Sequence, residues 1–276
     1  MLTIDVDTIA EGHEKVVRAI MTGDFNDVTT EDKELTFEYP EPVNIHIRNP
    51  EKSPQASSAL RFGEYSLGEY ANQVLTPKPL VDKPGSPAFS YLYSNLIFDF
   101  PNGEPYKVWR EKDQDGKEQR ITTSLESNYT GGHAKFMRVD WMVGNGRGDG
   151  TNQINYVVKK LSDKPESRRA VVSLFEPEGH PAMDDPPCLN HIQFMIRNGH
   201  LNCHALFRSN DMLSAWGGNA YALSNLQRHV LDLVNRRITT NTTPFEMGWL
   251  ETTSISAHIY WKRDVKELEE FKRLWR

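Results

Sequence analysis

Residues 189–211 carry the clearest structural pattern in the chain, LNHIQFMIRNGHLNCHALFRSND. Two apolar-rich segments, 189–197 and 201–208, lie on either side of Asn198-Gly199. An Asn-Gly pair between such segments is a strong signal for a β-hairpin, because both residues tolerate the positive φ of a tight turn. The sequence therefore predicts two antiparallel strands here.

Apolar patterns on both sides of this hairpin predict further elements. RRAVVSLF at 168–175 is typical of a buried strand, and an apolar helical stripe predicts a long helix over 218–237. Strands and long helices mix without regular βαβ alternation, so the sequence predicts an α+β fold in a single domain, 1–276. The other predicted helices lie at 7–21, at 65–74, at 90–98, at 152–161 with Thr151 as its cap, and at 264–275. The other predicted strands lie at 42–47 and 252–261, and a hairpin is predicted within 105–124.

Composition and charge limit the partners to be expected. The chain has 276 residues, two of them cysteine, and a formal net charge of −6. A protein that binds DNA duplexes takes its affinity mainly from neutralised phosphates, so this charge argues against that class. The sequence contains no apolar run near the ~20 residues of a transmembrane helix and no signal-peptide pattern. We therefore expect a cytoplasmic protein with reduced thiols that binds neither DNA nor a membrane.

Cys188 is the candidate nucleophile on chemical grounds. It lies in D-D-P-P-C-L, directly before the first hairpin strand, where two prolines restrict the path of the chain. S-R-R at 167–169 and Arg208 are suited to bidentate phosphate binding, and nearby arginines lower the pKa of a thiol. Taken singly, these residues are also compatible with a buried, inert thiol and solvated surface arginines. Cys203, in the middle of a predicted strand, is expected to be structural.

The order of short motifs in the second half of the chain is more specific than any one motif. As an ordered set, the motifs resemble the thymidylate synthase and deoxycytidylate hydroxymethylase superfamily. The resemblance is strong over 167–260. These motifs are S-R-R (167–169), P-P-C (186–188), Q-F (193–194), G-x-L (199–201), R-S-x-D (208–211), G-N (218–219) and S-x-H-I-Y (256–260), with shorter upstream matches at L-G-E-Y (67–70), K-V-W (107–109) and S-N-Y (127–129).

The resemblance implies a fold, an assembly and a reaction. The fold is thymidylate synthase-like, with a mixed or antiparallel core sheet flanked by helices and a homodimer formed through that sheet. The reaction is one-carbon transfer to ring carbon 5 of a pyrimidine nucleoside 5′-monophosphate, with dUMP as the expected substrate. The carbon donor is 5,10-methylenetetrahydrofolate or a related pterin. We expect no metal site, since no cysteine–histidine set has zinc spacing.

Roles for individual residues follow from the same resemblance. Cys188 would add to ring carbon 6 and so make ring carbon 5 nucleophilic. Arg208 and Ser209 would bind the 5′-phosphate of the nucleotide. Arg168 and Arg169 would reach across to the site of the partner subunit.

The remaining implied contacts are to the sugar and the base. His258 and Tyr260 lie two residues apart on one strand face and would hydrogen-bond the sugar 3′-hydroxyl. The Asn219 amide would bind the base, and its donor and acceptor match uracil. Asp211 would support the site.

Shorter matches imply roles for three upstream residues. Glu69 would order water and relay protons, and Tyr129 would handle the proton that leaves ring carbon 5. Trp109 would form a wall of the folate site. A helix-surface carboxylate and a packing aromatic are the alternative interpretations of Glu69 and Tyr129.

The sequence departs from the synthases at several places, and the last of these departures bears on the product. Leu189 lies where synthases usually have histidine, and A-W-G-G-N at 215–219 replaces G-x-P-F-N. Only 16 residues follow Tyr260, whereas synthases continue into a tail that closes over the folate and excludes water. Attack by water on the exocyclic methylene gives hydroxymethyl, whereas hydride gives methyl. We therefore expect hydroxymethylation, with the thymidylate synthase reaction as the alternative.

Two other classes of protein remain open at this point. A non-catalytic homologue that binds nucleotides or RNA would keep the fold, but it would not need the thiol. A cysteine hydrolase would need a histidine poised on Cys188. His191 follows three residues later in an extended segment and is expected to face away from that thiol.

Overall fold

The structure is a computed structural model, and it describes residues 1–31, 33–60, 67–75, 92–98, 100, 108–112, 118–122, 151–177, 180–182, 185–238 and 243–275. Its helices are α1 (Ile9–Thr22), α2 (Leu67–Leu75), α3 (Tyr93–Phe98), α4 (Gln153–Asp163), α5 (Trp216–Arg237) and α6 (Val265–Arg273). Its strands are β1 (Leu2–Val6), β2 (Asn26–Thr29), β3 (Leu35–Glu38), β4 (Val43–Ile47), β5 (Val108–Lys112), β6 (Glu118–Thr122), β7 (Val171–Ser173), β8 (Leu189–Arg197), β9 (His200–Asp211) and β10 (Glu246–Ile259). None of the helices in these ranges is both long and apolar enough to cross a membrane.

Eight of the strands form one mixed sheet. Its order is β1-β4-β10-β9-β8-β7, with β3 paired to the end of β10 and β2 paired to β3. The β1–β4 and β9–β10 pairs are parallel, and the others are antiparallel. β5 and β6 form a separate hairpin. This mixed sheet with its helices confirms the predicted α+β class.

The hairpin of β8 and β9 has the predicted turn. Arg197 pairs with His200, so Asn198 and Gly199 form a two-residue loop. Their φ angles are 53° and 80°, both in the left-handed region. Positive φ at both central positions defines the type I′ turn, whose twist matches that of the strands.

Several boundaries differ from the prediction because tertiary pairing extends or shortens an element. β10 begins six residues before the predicted 252, and β7 keeps only three residues of 168–175. The cap of α4 is Asn152, whose side chain accepts the Asn155 N–H at 3.1 Å. The backbone of Thr151, the predicted cap, pairs with Phe100 instead.

The two faces of the central strands have different surroundings. On one face, Cys203, Ala205 and Phe207 of β9 are fully buried where α1 and α5 pack against the sheet. On the other face, Leu206 is half-buried and pairs with Thr253. Ile255, two residues further on that face, is 51% exposed. We call this second side the open face of the sheet.

A buried histidine connects α1 to the turn before α5. Nε2 of His13 lies 2.9 Å from the carbonyl oxygen of Met212 and 3.1 Å from that of Leu213, so this nitrogen donates to them. A Cβ on Gly217 would lie 2.5 Å from Nδ1 of His13, so glycine is required for this close approach. Burial lowers the pKa of His13 to about 4, and the imidazole is neutral at pH 7.

His13 should make stability depend on pH below about 6.5. Its pKa is lower in the folded than in the unfolded chain, so the unfolded state binds the proton first as the pH falls. The stability contributed by the neutral imidazole is therefore present above the unfolded pKa and is lost below it. We expect the difference in free energy of unfolding between wild type and His13→Gln to shrink by about 3 kcal/mol from pH 7 to pH 4. Urea unfolding at both pH values measures this, and a constant difference would contradict it.

Candidate active site

The candidate nucleophile lies at the start of β8. Cys188 is half-buried and directly precedes Leu189, the first residue of the strand. The Cys188 carbonyl accepts the Arg208 N–H at 2.8 Å, and the Leu189 N–H donates to the Tyr93 hydroxyl at 3.3 Å. Hydrogen bonds on both sides therefore fix the backbone that carries the thiol.

Arg208 is tied to the loop that carries Cys188. Its Nε donates to the Pro187 carbonyl at 3.1 Å, and its Nη2 donates to the Pro186 carbonyl at 2.5 Å. The Asp185 carboxylate lies 3.7 Å from the same Nη2. Within the described residues this leaves the Nη1 group of the planar guanidinium for an anion. The arrangement fixes a positive charge against the loop that carries the thiol.

His258 and Tyr260 lie where β10 ends. Their rings meet edge to face with centroids 5.0 Å apart, and His258 is the cross-strand partner of Asp211. Burial raises the pKa of Tyr260, and the charge of Asp211 and, more weakly, that of Cys188 act in the same direction. The end of β10 lies beside the end of β9, the strand that carries Arg208 and Ser209.

Burial also keeps His258 neutral. It lowers the pKa of His258, against the opposite effects of the Asp211 and Glu38 carboxylates. Asp211 has a structural task as well, because its Oδ1 accepts the N–H groups of Leu213 and Ser214, both at 3.0 Å. These bonds shape the turn into α5.

The N-terminal end of α5 carries Asn219. Its side chain is 9% exposed, and its Oδ1 accepts a hydrogen bond of 2.5 Å from the Tyr70 hydroxyl. Burial raises the pKa of Tyr70 to about 12, so the hydroxyl stays protonated and acts as a hydrogen-bond donor. Glu69 precedes Tyr70 in the first turn of α2, and its side chain is exposed. Packing of α2 on α5 thus brings Tyr70, which follows Glu69 in the chain, into contact with Asn219.

Arg168 and Arg169 lie apart from Cys188 within one chain. Both side chains are exposed, just before β7. The Arg168 carbonyl accepts from Gln193 Nε2 at 2.9 Å, and Gln193 follows Cys188 by five residues of extended chain. That separation is roughly 17 Å along β8. A single chain does not bring these two arginines to the thiol.

Three more predicted residues can be placed only in part or not at all. Ser209 follows Arg208 on β9, is half-buried and pairs with Ser256. Trp109 lies on β5 opposite Ile121, but its side chain is outside the described part of the structure. Tyr129 lies outside the described residues altogether.

The sequence analysis did not identify Tyr70, Tyr93 or Arg263 as parts of this region. Tyr70 belongs to an apolar helical stripe, and Tyr93 precedes the apolar positions of α3, so both are typical of packing residues. Arg263 follows Tyr260 by three residues in a charged segment. The one local signal is that Tyr70 directly follows Glu69. The Tyr70–Asn219, Tyr93–Leu189 and Arg263–Asp211 hydrogen bonds each join residues at least 52 positions apart.

Comparisons with known proteins agree with the motif order. A family model described as thymidylate synthase matches residues 102–273, which is more than half of the chain. A protein of Methanothermobacter thermautotrophicus, provisionally named thymidylate synthase, is 37% identical over 121 residues, which is 44% of this chain and 50% of that protein. The matched segment thus spans about half the length of that relative.

Two further relatives extend the comparison. A provisionally named thymidylate synthase of Methanocaldococcus jannaschii is 26% identical over 285 aligned positions, which cover 100% of both chains. The thymidylate synthase of Bacillus subtilis subsp. natto is 27% identical over 113 residues, 41% of this chain and 37% of that protein. The match to the family model covers both the Cys188 loop and the end of β10. The chain belongs to the thymidylate synthase family.

Proposed function

We propose that this protein is an enzyme that transfers a one-carbon unit to ring carbon 5 of dUMP, with Cys188 as the nucleophile and a methyl group as the product. One observation carries the proposal. In a chain of this family, the half-buried Cys188 lies at the mouth of β8, and the Arg208 guanidinium is hydrogen-bonded to its loop. This pairs a thiol with an anion-binding group.

The first part of the reaction follows from these two groups. The Nη1 side of Arg208, with the Ser209 hydroxyl, binds the 5′-phosphate and places the ring against Cys188. The thiolate then forms a bond to ring carbon 6, and the electron pair of the ring double bond makes carbon 5 nucleophilic. Methylenetetrahydrofolate, bound as the second substrate, supplies the one-carbon unit and, for a methyl product, the hydride. Glu69 and Tyr129 remain our candidates for proton transfer, and Trp109 for the folate wall.

The Tyr70–Asn219 pair supports uracil as the base. Because the Tyr70 hydroxyl donates to Oδ1, the Asn219 amide keeps Nδ2 as a donor for a ring carbonyl. The second lone pair of Oδ1 can accept from a ring N–H. Uracil offers this carbonyl and N–H pattern.

The sugar is bound by the pair at the end of β10. The neutral imidazole of His258 and the hydroxyl of Tyr260 can each form a hydrogen bond with the 3′-hydroxyl. Both oxygens of Asp211 accept hydrogen bonds from the protein, so Asp211 acts by holding the turn and its neighbours.

The comparisons favour methyl over the hydroxymethyl product that the sequence analysis favours. The relatives are named thymidylate synthase, two of them provisionally. We therefore propose the synthase reaction and keep hydroxymethylation as the second candidate. Leu189, where synthases usually have histidine, is a departure that this chain shares with the deoxycytidylate hydroxymethylases.

The mass of the product separates these reactions. Purified protein is incubated with dUMP and methylenetetrahydrofolate, and the nucleotide is analysed by mass spectrometry. We expect a gain of CH₂. A gain of CH₂O would establish hydroxymethylation instead, and an unchanged nucleotide would contradict the proposed activity. With 5-fluoro-dUMP and the same folate, a covalent adduct is expected on the peptide that contains Cys188.

We also propose that the active unit is a homodimer formed through the open face of the sheet. The Arg168 carbonyl is bonded to Gln193, which lies roughly 17 Å along β8 from Cys188 of the same chain, so Arg168 and Arg169 would complete a phosphate site in a second copy. The open face presents apolar side chains at Leu206, Trp249 and Ile255. Exposed apolar surface of this kind is typical of a protein interface.

A charge on the open face should separate the subunits. In a two-fold dimer, Ile255→Glu places the new carboxylate in the interface twice, without a partner. We expect the dimer dissociation constant to rise by about a hundredfold or more. Analytical ultracentrifugation over a concentration series measures it.

Val265→Glu is the matched control for this experiment. Val265 is 51% exposed, like Ile255, but it lies at the start of α6. We expect this variant to remain as dimeric as the wild type. A monomeric wild type, or an unaltered Ile255→Glu dimer, would refute the proposed interface.

A further inference from the structure

Arg263 stacks on a residue proposed to bind the sugar. Its Cζ lies 4.0 Å from the centroid of the Tyr260 ring. A guanidinium over a tyrosine face is attracted by the negative potential of that face. The contact restrains the ring whose hydroxyl is the proposed ligand of the 3′-hydroxyl.

The same guanidinium is held by three carboxylates. Its Nη2 donates to Asp211 Oδ2 and to Asp264 Oδ2, both at 2.6 Å. Its Nε donates to Asp264 Oδ1 at 2.8 Å, and Glu34 lies 3.7 Å from Nη1. The Asp211 and Asp264 side chains are only 12% and 13% exposed. Arg263 is therefore fixed in one orientation against Tyr260.

Both aspartates also tie Arg263 to the turn before α5. Asp264 Oδ2 accepts from the Ser214 hydroxyl at 2.8 Å, and Asp211 accepts the Ser214 N–H at 3.0 Å. Asp211 is the cross-strand partner of His258. One guanidinium thus links the end of β10, the end of β9 and the turn into α5.

The N-terminal hairpin of β2 and β3 supports this end of the site from the other side. Glu38 of β3 is the cross-strand partner of His258 and accepts a hydrogen bond of 2.6 Å from the Ser256 hydroxyl. Glu34, just before β3, faces Arg263. Both glutamates precede the segment 102–273 that matches the family.

We infer that Arg263 is a positioning residue that holds Tyr260 and Asp211 in place, and that it thereby determines how strongly the nucleotide is bound through its 3′-hydroxyl. The inference rests on the proposed function, because it takes dUMP as the substrate and Tyr260 as a sugar ligand. Arginine is required here since its planar group stacks on the ring and hydrogen-bonds both aspartates at once. Lysine keeps the charge but can do neither of these in the same geometry.

The test crosses protein variants with two nucleotides. Binding of dUMP and of 2′,3′-dideoxyuridine 5′-monophosphate, which lacks the 3′-hydroxyl, is measured by calorimetry for wild type and for Arg263→Lys. We expect Arg263→Lys to weaken dUMP binding about tenfold and dideoxynucleotide binding less than about twofold. Tyr260→Phe should show the same selective loss, and adding Arg263→Lys to it should cost little more.

Arg228→Lys is the matched control. Arg228 lies on α5 and forms a bidentate ion pair with Glu51, so it takes no part in the contacts at the end of β10 described above. Its side chain is 41% exposed, and that of Arg263 is 44% exposed. We expect its nucleotide affinities to match those of the wild type. Thermal unfolding of each variant reports folding, and Arg263→Gln serves as a second variant should the lysine variant fold poorly.

The possible outcomes are distinct. Equal weakening of both nucleotides by Arg263→Lys would show a general structural role and overturn the inference, as would no weakening at all. If the wild type binds dUMP more tightly than the dideoxynucleotide, the proposed sugar contact is supported, whatever the result for the Arg263 variants. A wild type that binds dUMP no better than the dideoxynucleotide, or not at all, would overturn the proposed sugar contact or the proposed substrate, and the inference with it.

Discussion

Cys188→Ala should lower the rate of product formation by at least about a thousandfold, with little change in the affinity for dUMP. The proposed reaction needs a bond from sulfur to ring carbon 6, and alanine cannot form one. The phosphate, base and sugar contacts come from other side chains, so binding should persist. Turnover by mass spectrometry and binding by calorimetry measure the two effects separately. The variant should also form no adduct with 5-fluoro-dUMP.

Cys203→Ala is the matched control for this prediction. Cys203 is fully buried on the helix-covered face of β9, and burial raises the pKa of its thiol, so it stays protonated. We expect activity within about twofold of wild type and a loss of about 1 kcal/mol in the free energy of unfolding. Turnover that survives in Cys188→Ala, or a nucleotide adduct on Cys203, would show that the proposed nucleophile is wrong.

Arg208→Met should raise KM for dUMP by about a hundredfold and lower kcat as well. The KM effect is expected because methionine cannot form the charge-assisted hydrogen bonds to phosphate. The kcat effect has a separate cause. The Pro186 carbonyl loses the Arg208 donor, and the Pro187 carbonyl keeps only the Asn190 side chain, so the loop that carries Cys188 loses an anchor. Steady-state kinetics over a range of dUMP concentrations resolves both parameters.

Deoxyuridine, which lacks the phosphate, separates the two effects of replacing Arg208. With deoxyuridine, the activity of Arg208→Met should fall only because the loop has lost its anchor. The variant and the wild type should therefore differ less in kcat/KM for deoxyuridine than for dUMP. Arg273→Met is the control, because Arg273 pairs with Glu270 on the exposed side of α6. If Arg208→Met changed kcat alone and left KM for dUMP as in wild type, Arg208 would hold the loop without binding the phosphate.

Local patterns predicted some elements well and others poorly, for a physical reason. The β8–β9 hairpin depends on an Asn-Gly turn and on alternation within its own strands, so the sequence predicts it closely. Of the four N-terminal strands of the sheet, β1 to β4, only β4 was predicted. β2 is short and mostly exposed, and it exists because β3 pairs with it and with the end of β10. Such a strand has little apolar alternation of its own.

The candidate site divides in the same way. Cys188, Arg208, His258 and Tyr260 stand in short motifs whose order is visible in the sequence, and they were all identified from it. Tyr93 was not, because its hydroxyl acts on Leu189 across a separation of 96 residues. Nothing in the apolar surroundings of Tyr93 distinguishes it from a packing residue.

The sequence alone was enough to predict the family, because the motifs are local and their order along the chain is specific, and it supplied the candidates for the nucleophile and for the nucleotide contacts that we propose. Only the tertiary structure showed which groups orient these residues. The Tyr70–Asn219 and Arg263–Asp211 hydrogen bonds join residues that are 149 and 52 positions apart. Contacts of that kind depend on how helices and strands pack, and a linear pattern carries no record of the packing.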